Sequence, residues 1–179
     1  MTIENPSTSS IRVWDLPVRI FHWLLVASFA TAFLTSESER VMNIHVAAGY
    51  CVAGLIAFRL VWGFVGSKHS RFADFIPSPQ TLKDYVSSLV EKRPVHYLGH
   101  NPVGALGIIM LLTLGLLTTA SGWAMEEKIG GHLMEELHEG VANGMLAVVI
   151  IHILGVIASS WMHGENLVKA MFTGNKEIK

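Results

Sequence analysis

The chain is 179 residues long, 51% hydrophobic and only 15% charged, with a mean hydropathy of +0.44. Soluble domains carry about 25% charged residues, so this chain lacks the polar surface to coat a soluble globule, and it is too apolar to stay disordered. A net charge of −1 leaves no basic excess for nucleic acid, and a single cysteine, Cys51, excludes an internal disulfide framework or a cysteine-ligated cluster.

In chain order, the opening stretch MTIENPSTSS has neither a basic n-region nor a cleavage site, so no removed signal peptide is expected. The first apolar stretch predicts a span over about residues 17–35, with Pro17 suited to the first turn of its helix. A second span is predicted over about 45–65. In the polar central loop, Ser78-Pro79 reads as N-cap and first turn of a helix over about 79–92. Its apolar residues Leu82, Tyr85, Val86 and Leu89 recur at helical spacing, which predicts an amphipathic helix lying at the cytoplasmic interface. Third and fourth spans are predicted over about 102–123 and 138–161. Each stretch is long enough, or nearly so, to cross a bilayer core of about 30 Å. The expected fold is all-α: one integral membrane four-helix bundle over residues 11–174, in contact with the lipid bilayer.

An even number of spans puts both termini on one side. Of the 13 lysines and arginines, all but Arg40 and Lys128 fall on that side or in the central loop. The positive-inside bias therefore predicts a multi-pass protein of the bacterial inner membrane with both termini cytoplasmic. Trp14, Trp23, Trp62, Trp123 and Trp161 lie near span ends, as an aromatic belt requires.

Nine histidines are unusual in so apolar a chain, and ionisable groups inside spans are functional candidates. Four fall in or at the ends of spans: His22, His45, His138 and His152. Chain direction puts His22 near the inner end and His45 near the outer end. The fourth span runs inward, so His152 lies 14 residues below His138, a drop of about 21 Å. Fourteen residues also return to within about 40° of the same helix face. The depths pair off, His22 with His152 inside and His45 with His138 outside. Two opposed neutral imidazoles at one depth are what a six-coordinate b-type haem needs. The sequence has no C-x-x-C-H, so covalent c-type attachment is excluded. Two haems are thus expected in the bundle core. Arg19 and Arg59 stand at the inner level, either as partners of haem propionates or snorkelling to the phosphate layer.

These residues resemble the prokaryotic dihaem cytochrome b family of cytochrome b561 type, which includes the b-type subunits of nickel-iron hydrogenases and formate dehydrogenases. The resemblance rests on VWDLPVRIFHW, HVAAGY, RLVWGFVGSKHSRF, GHNPVGAL, LHEGVANGMLAVVIIHILGV and HGENLVKAMFTG, and covers about residues 11–174. It implies haem iron ligands at His22, His45, His138 and His152, with none on the third span. It also implies quinone chemistry near the cytoplasmic haem. Candidates there are His100, Asn101, His163 and Asn166, for which helix capping and headgroup contact are the competing roles.

The function expected is membrane electron transfer between a quinone pool and a periplasmic partner, such as a c-type cytochrome or an oxidoreductase subunit. The alternative is a superoxide:quinone oxidoreductase. The outer segments hold Glu37, Glu39, Glu126, Glu127, Glu135, Glu136 and Glu139 against Arg40 and Lys128. That balance repels superoxide and suits a basic protein partner. A histidine-based ion transporter is a third class, but no Asp or Glu interrupts any predicted span.

Overall fold

A computed structural model describes residues 9–91 and 93–178. The segment bearing on a signal peptide, residues 1–8, and two of the inner basic residues, Lys92 and Lys179, lie outside the described residues.

Four long apolar helices dominate the molecule: α1 (Leu16–Thr35), α2 (Met42–Val65), α5 (Pro102–Glu126) and α6 (Gly131–His163). All four are long and apolar enough to cross a membrane. Each start has a local cause. Asp15 Oδ1 accepts the Val18 amide at 2.8 Å, and Pro17 sits in the first turn of α1. Asn101 Oδ1 accepts the Gly104 amide at 2.7 Å, with Pro102 opening α5. A single 3-10 turn, Glu39–Val41, leads into α2. The fourth helix starts at Gly131, seven residues before the predicted span, because Gly130 at φ 82° turns the chain into it. Its 33 residues extend about 50 Å, so α6 is longer than a bilayer core.

Close backbone packing runs from α1 to α2, from α2 to α5 and from α5 to α6. Phe21, Val52, Ile56 and Leu112 form the buried centre of the first three helices. Gly115 permits the α2–α5 approach: a Cβ there would stand 2.6 Å from Ile56 Cδ1. Among the described residues, α6 makes no comparable backbone packing with α1 or α2. The bundle therefore has a wide seam, with α1 and α2 on one side and α6 on the other.

Shorter elements gather at the end where both termini lie. They are β1 (Ser9–Arg12), α3 (Phe72–Phe75), α4 (Pro79–Val90), α7 (Leu167–Thr173) and β2 (Asn175–Ile178). Ser78 Oγ accepts the Thr81 amide at 3.1 Å and starts α4. The antiparallel ribbon β1–β2, with Ser9 opposite Ile178 and Arg12 opposite Asn175, adds to the all-helical expectation. It continues into Val13 and Trp14, whose amides donate to the Gly174 carbonyl at 2.8 and 3.0 Å. Asp15 then binds the ends of α1 and α2 together. Its Oδ2 accepts from Trp62 Nε1 at 3.0 Å, Ser67 Oγ at 2.5 Å and Ser70 Oγ at 2.8 Å. Burial works to raise the Asp15 pKa, but the hydrogen bonds from Ser67, Val18, Ser70 and Trp62 outweigh it and hold the carboxylate below its usual range.

Candidate functional site

The seam carries histidines on both sides. At the end away from both termini, the expected outer end, His45 from the first turn of α2 meets His138 from α6, with ring centres 6.1 Å apart and planes at 77°. His45 Nδ1–H donates to the Ala32 carbonyl of α1 at 2.8 Å. His138 Nδ1–H donates to the Thr118 carbonyl of α5 at 3.0 Å, with Ser121 Oγ 3.1 Å from the same nitrogen. A protonated Nδ1 leaves the lone pair on Nε2, so both rings are held in the tautomer a metal requires. Gly122 makes room for this pair: a Cβ there would lie 3.1 Å from His138 Cε1.

At the end where both termini lie, the expected inner end, His22 of α1 stands within electrostatic range of His152 of α6. His22 packs edge-on against Trp23, with ring centres 5.0 Å apart. Its Nδ1 is buried with no hydrogen-bond partner, as is Trp23 Nε1.

The two arginines differ. Arg19 donates through Nε to the Met171 carbonyl at 3.3 Å and through Nη2 to the Phe172 carbonyl, fastening the end of α7 to α1. Arg59 is buried, at 3% exposure, against the Phe72 and Phe75 rings, and its Nη1 has no partner.

Of the four inner candidates, Asn101 and Asn166 cap helices, Asn166 Oδ1 accepting the Lys169 amide at 2.7 Å. The two histidines keep buried, unpartnered nitrogens, Nδ1 in His100 and Nε2 in His163. The His100 ring lies between Trp14 at 4.5 Å and Phe75 at 4.8 Å. Burial first, and then the nearby Arg59 guanidinium, push its pKa down to about 3, so this imidazole is neutral. It borders a cavity of about 210 Å³ shared with Lys68, His69, Asp74 and Tyr97. His163 Nδ1–H donates to the Ser159 carbonyl at 3.0 Å.

Sequence reading missed the Asp15 hub and a buried network around Lys176. Lys176 Nζ donates to the Tyr97 carbonyl at 3.0 Å and pairs with Glu165 at 3.1 Å, and Glu165 also meets His96 Nε2. A lysine three residues from the end of the sequence carries no local signal that it will be buried.

Haem can be tested against these residues. The His45 and His138 imidazoles, with ring centres 6.1 Å apart, would hold a metal between them through their Nε2 atoms. The seam separates the two sides, both outer imidazoles have the required tautomer, and His22 has an unmet buried nitrogen. The residues present fit the group.

A membrane-crossing helical bundle with opposed histidines on either side of a seam is the architecture of a membrane b-type cytochrome. A family profile described as prokaryotic cytochrome b561 matches residues 13–174, and the chain belongs to that family. It is thus a prokaryotic membrane protein of electron transfer that uses haem b. It is similar to a probable Ni/Fe-hydrogenase B-type cytochrome subunit of Rhodobacter capsulatus, at 25% identity over 96% of this chain and 83% of the relative. The corresponding protein of Rhizobium leguminosarum bv. viciae is 26% identical over 95% and 90%. That of Escherichia coli strain K12, a probable Ni/Fe-hydrogenase 1 B-type cytochrome subunit, is 22% identical over 100% and 96%. No solved structure matches the chain significantly.

Proposed function

We propose that the chain holds two haem b groups, one between His22 and His152 and one between His45 and His138, and carries electrons between a membrane quinone and a periplasmic redox partner. The observation that carries this reading is the His45–His138 pair, 6.1 Å between ring centres with both Nδ1 atoms tied to backbone carbonyls. Residues 11–174 form one four-span unit of the inner membrane, with both termini cytoplasmic and α4 along the cytoplasmic interface. The positive-inside bias and the gathering of both termini with the central loop at one end support that orientation.

Bound haem supplies a one-electron couple at each level. The chain's own residues do the rest. Ala32 and Thr118 fix the tautomers of the outer imidazoles. Apolar helix faces exclude water from the seam. Arg59 has a free donor for a propionate, whereas Arg19 spends two donors on α7. The unpartnered ring nitrogens of His100 and His163 offer hydrogen bonds to a quinone headgroup at the inner end. Asn101 and Asn166 act there as helix caps.

The relatives' names point to a hydrogenase-type oxidoreductase as the partner. The outer glutamates favour a basic docking face on it and disfavour superoxide, an anion, as donor. The test is reduction of the protein in vesicles by a quinol analogue without dithionite. Appearance of reduced b-type bands is expected. Inertness toward quinols, with reduction by a soluble donor alone, would reject the quinone assignment.

A further inference from the structure

Arg59 carries a full charge at 3% exposure, and buried ions normally need a partner. Its guanidinium carbon lies 5.0 Å from the centre of the Phe72 ring and 5.7 Å from that of Phe75. Both rings belong to α3, the four-residue helix that folds back over the inner end of α2. Gly63 provides the space, since a Cβ at that position would overlap the Phe72 ring. Two aromatic faces therefore replace part of the water that the cation has lost. Asp15 is within electrostatic range of Arg59. Its oxygens, however, are taken by Val18, Trp62, Ser67 and Ser70. Phe58, next to Arg59 in the chain, packs 6.3 Å from Phe21, next to His22, and Phe75 packs 4.8 Å from His100, so the cation sits at the level of His22 and His100.

We propose that Phe72 and Phe75 are positioning residues that clamp Arg59 as a water-excluded cation beside the inner haem and so raise that haem's reduction potential. The inference rests on the two-haem reading. Taking up one electron lowers the charge at the iron by one unit, with no bond made or broken. A nearby cation favours that lower-charge state, and does so more strongly where water is excluded. A hydrated cation is screened within about 8 Å at physiological salt. Loosening the clamp therefore lowers the potential even though the arginine remains.

The test is a spectroscopically resolved potentiometric titration of the purified protein, Phe72→Leu, Gly63→Ala and Arg59→Gln, with His22→Ala identifying which transition belongs to the inner haem. In the first two variants the inner transition is expected to fall by about 59 mV, a tenfold change in a one-electron equilibrium. In Arg59→Gln it falls at least as far, and the outer transition stays in place throughout. Where Phe72→Leu does not accumulate with haem, Phe75→Leu is read instead. An inner transition unmoved in Phe72→Leu and Gly63→Ala overturns the clamp, whatever Arg59→Gln does. A parallel shift of both transitions also overturns it, because general loosening would then be the cause. If His22→Ala removes neither transition, the two-haem reading fails first and the clamp with it.

Discussion

His45 and His138, 93 positions apart in the chain, stand with ring centres 6.1 Å apart at the end of the bundle away from both termini. Four helices fix that relationship, because His45 on α2 and His138 on α6 are each tied to a carbonyl of a neighbour, Ala32 on α1 and Thr118 on α5. His138→Ala should accordingly remove the outer haem and spare the inner one. The haem-to-chain ratio should fall by half while the helical circular dichroism signal persists. Loss of both haems without unfolding would contradict two independent sites.

Asp15 joins the N-terminus of α1 to the C-terminal end of α2. Asp15→Ala removes an N-cap and takes the shared acceptor from Trp62, Ser67 and Ser70, the last only 1% exposed. Together these should cost about 2–4 kcal/mol. Thermal unfolding in mild detergent should show a lower midpoint, and the segment around 66–78 should become protease-sensitive. An unchanged midpoint would contradict the hub.

His100 gives a pH dependence with a definite sign. Its folded-state pKa, about 3, lies below the ordinary 6.5. Between those values the unfolded chain binds a proton that the folded imidazole does not. Stability from this group is therefore complete above pH 6.5 and declines as pH falls toward 3. His100→Phe should flatten that decline in thermal melts taken between pH 7 and pH 4. A variant that declines as steeply as the parent would contradict the assignment.

Lys176 is 5% exposed and meets Glu165 and the Tyr97 carbonyl. Burial tends to raise the Glu165 pKa, but His96 and Lys176 outweigh it and hold the carboxylate below its usual range. Lys176→Met should free the strap formed by α7 and β2, costing about 1–3 kcal/mol. Limited proteolysis should then cut residues 165–178 faster at unchanged haem content. Equal cutting rates would show that the strap is held elsewhere.

The spans were legible because a bilayer demands long apolar runs, and histidine depth followed from helix rise alone. Ser78-Pro79 marked α4 for a similar local reason. What sequence could not reveal depends on tertiary docking. The ribbon joins two short polar segments from opposite ends of the chain, and neither has an alternating apolar face. For Arg19 only its level was readable, which left a propionate partner or a snorkelling side chain open, and not its hydrogen bonds to the α7 carbonyls. The outer start of α6 escaped because its first turns are polar, leaving only Gly130 to mark the boundary. Phe72 and Gly63 each look ordinary in sequence, and only their overlap in space defines the Arg59 clamp.

Two porphyrins gripped by four imidazoles would fix the haem-to-chain ratio of the purified protein, and that ratio is the most direct test. A pyridine haemochrome assay against quantitative amino-acid analysis should return two haem b per chain. A ratio of one in fully loaded protein, or none, would contradict the pairing of His22 with His152 and His45 with His138.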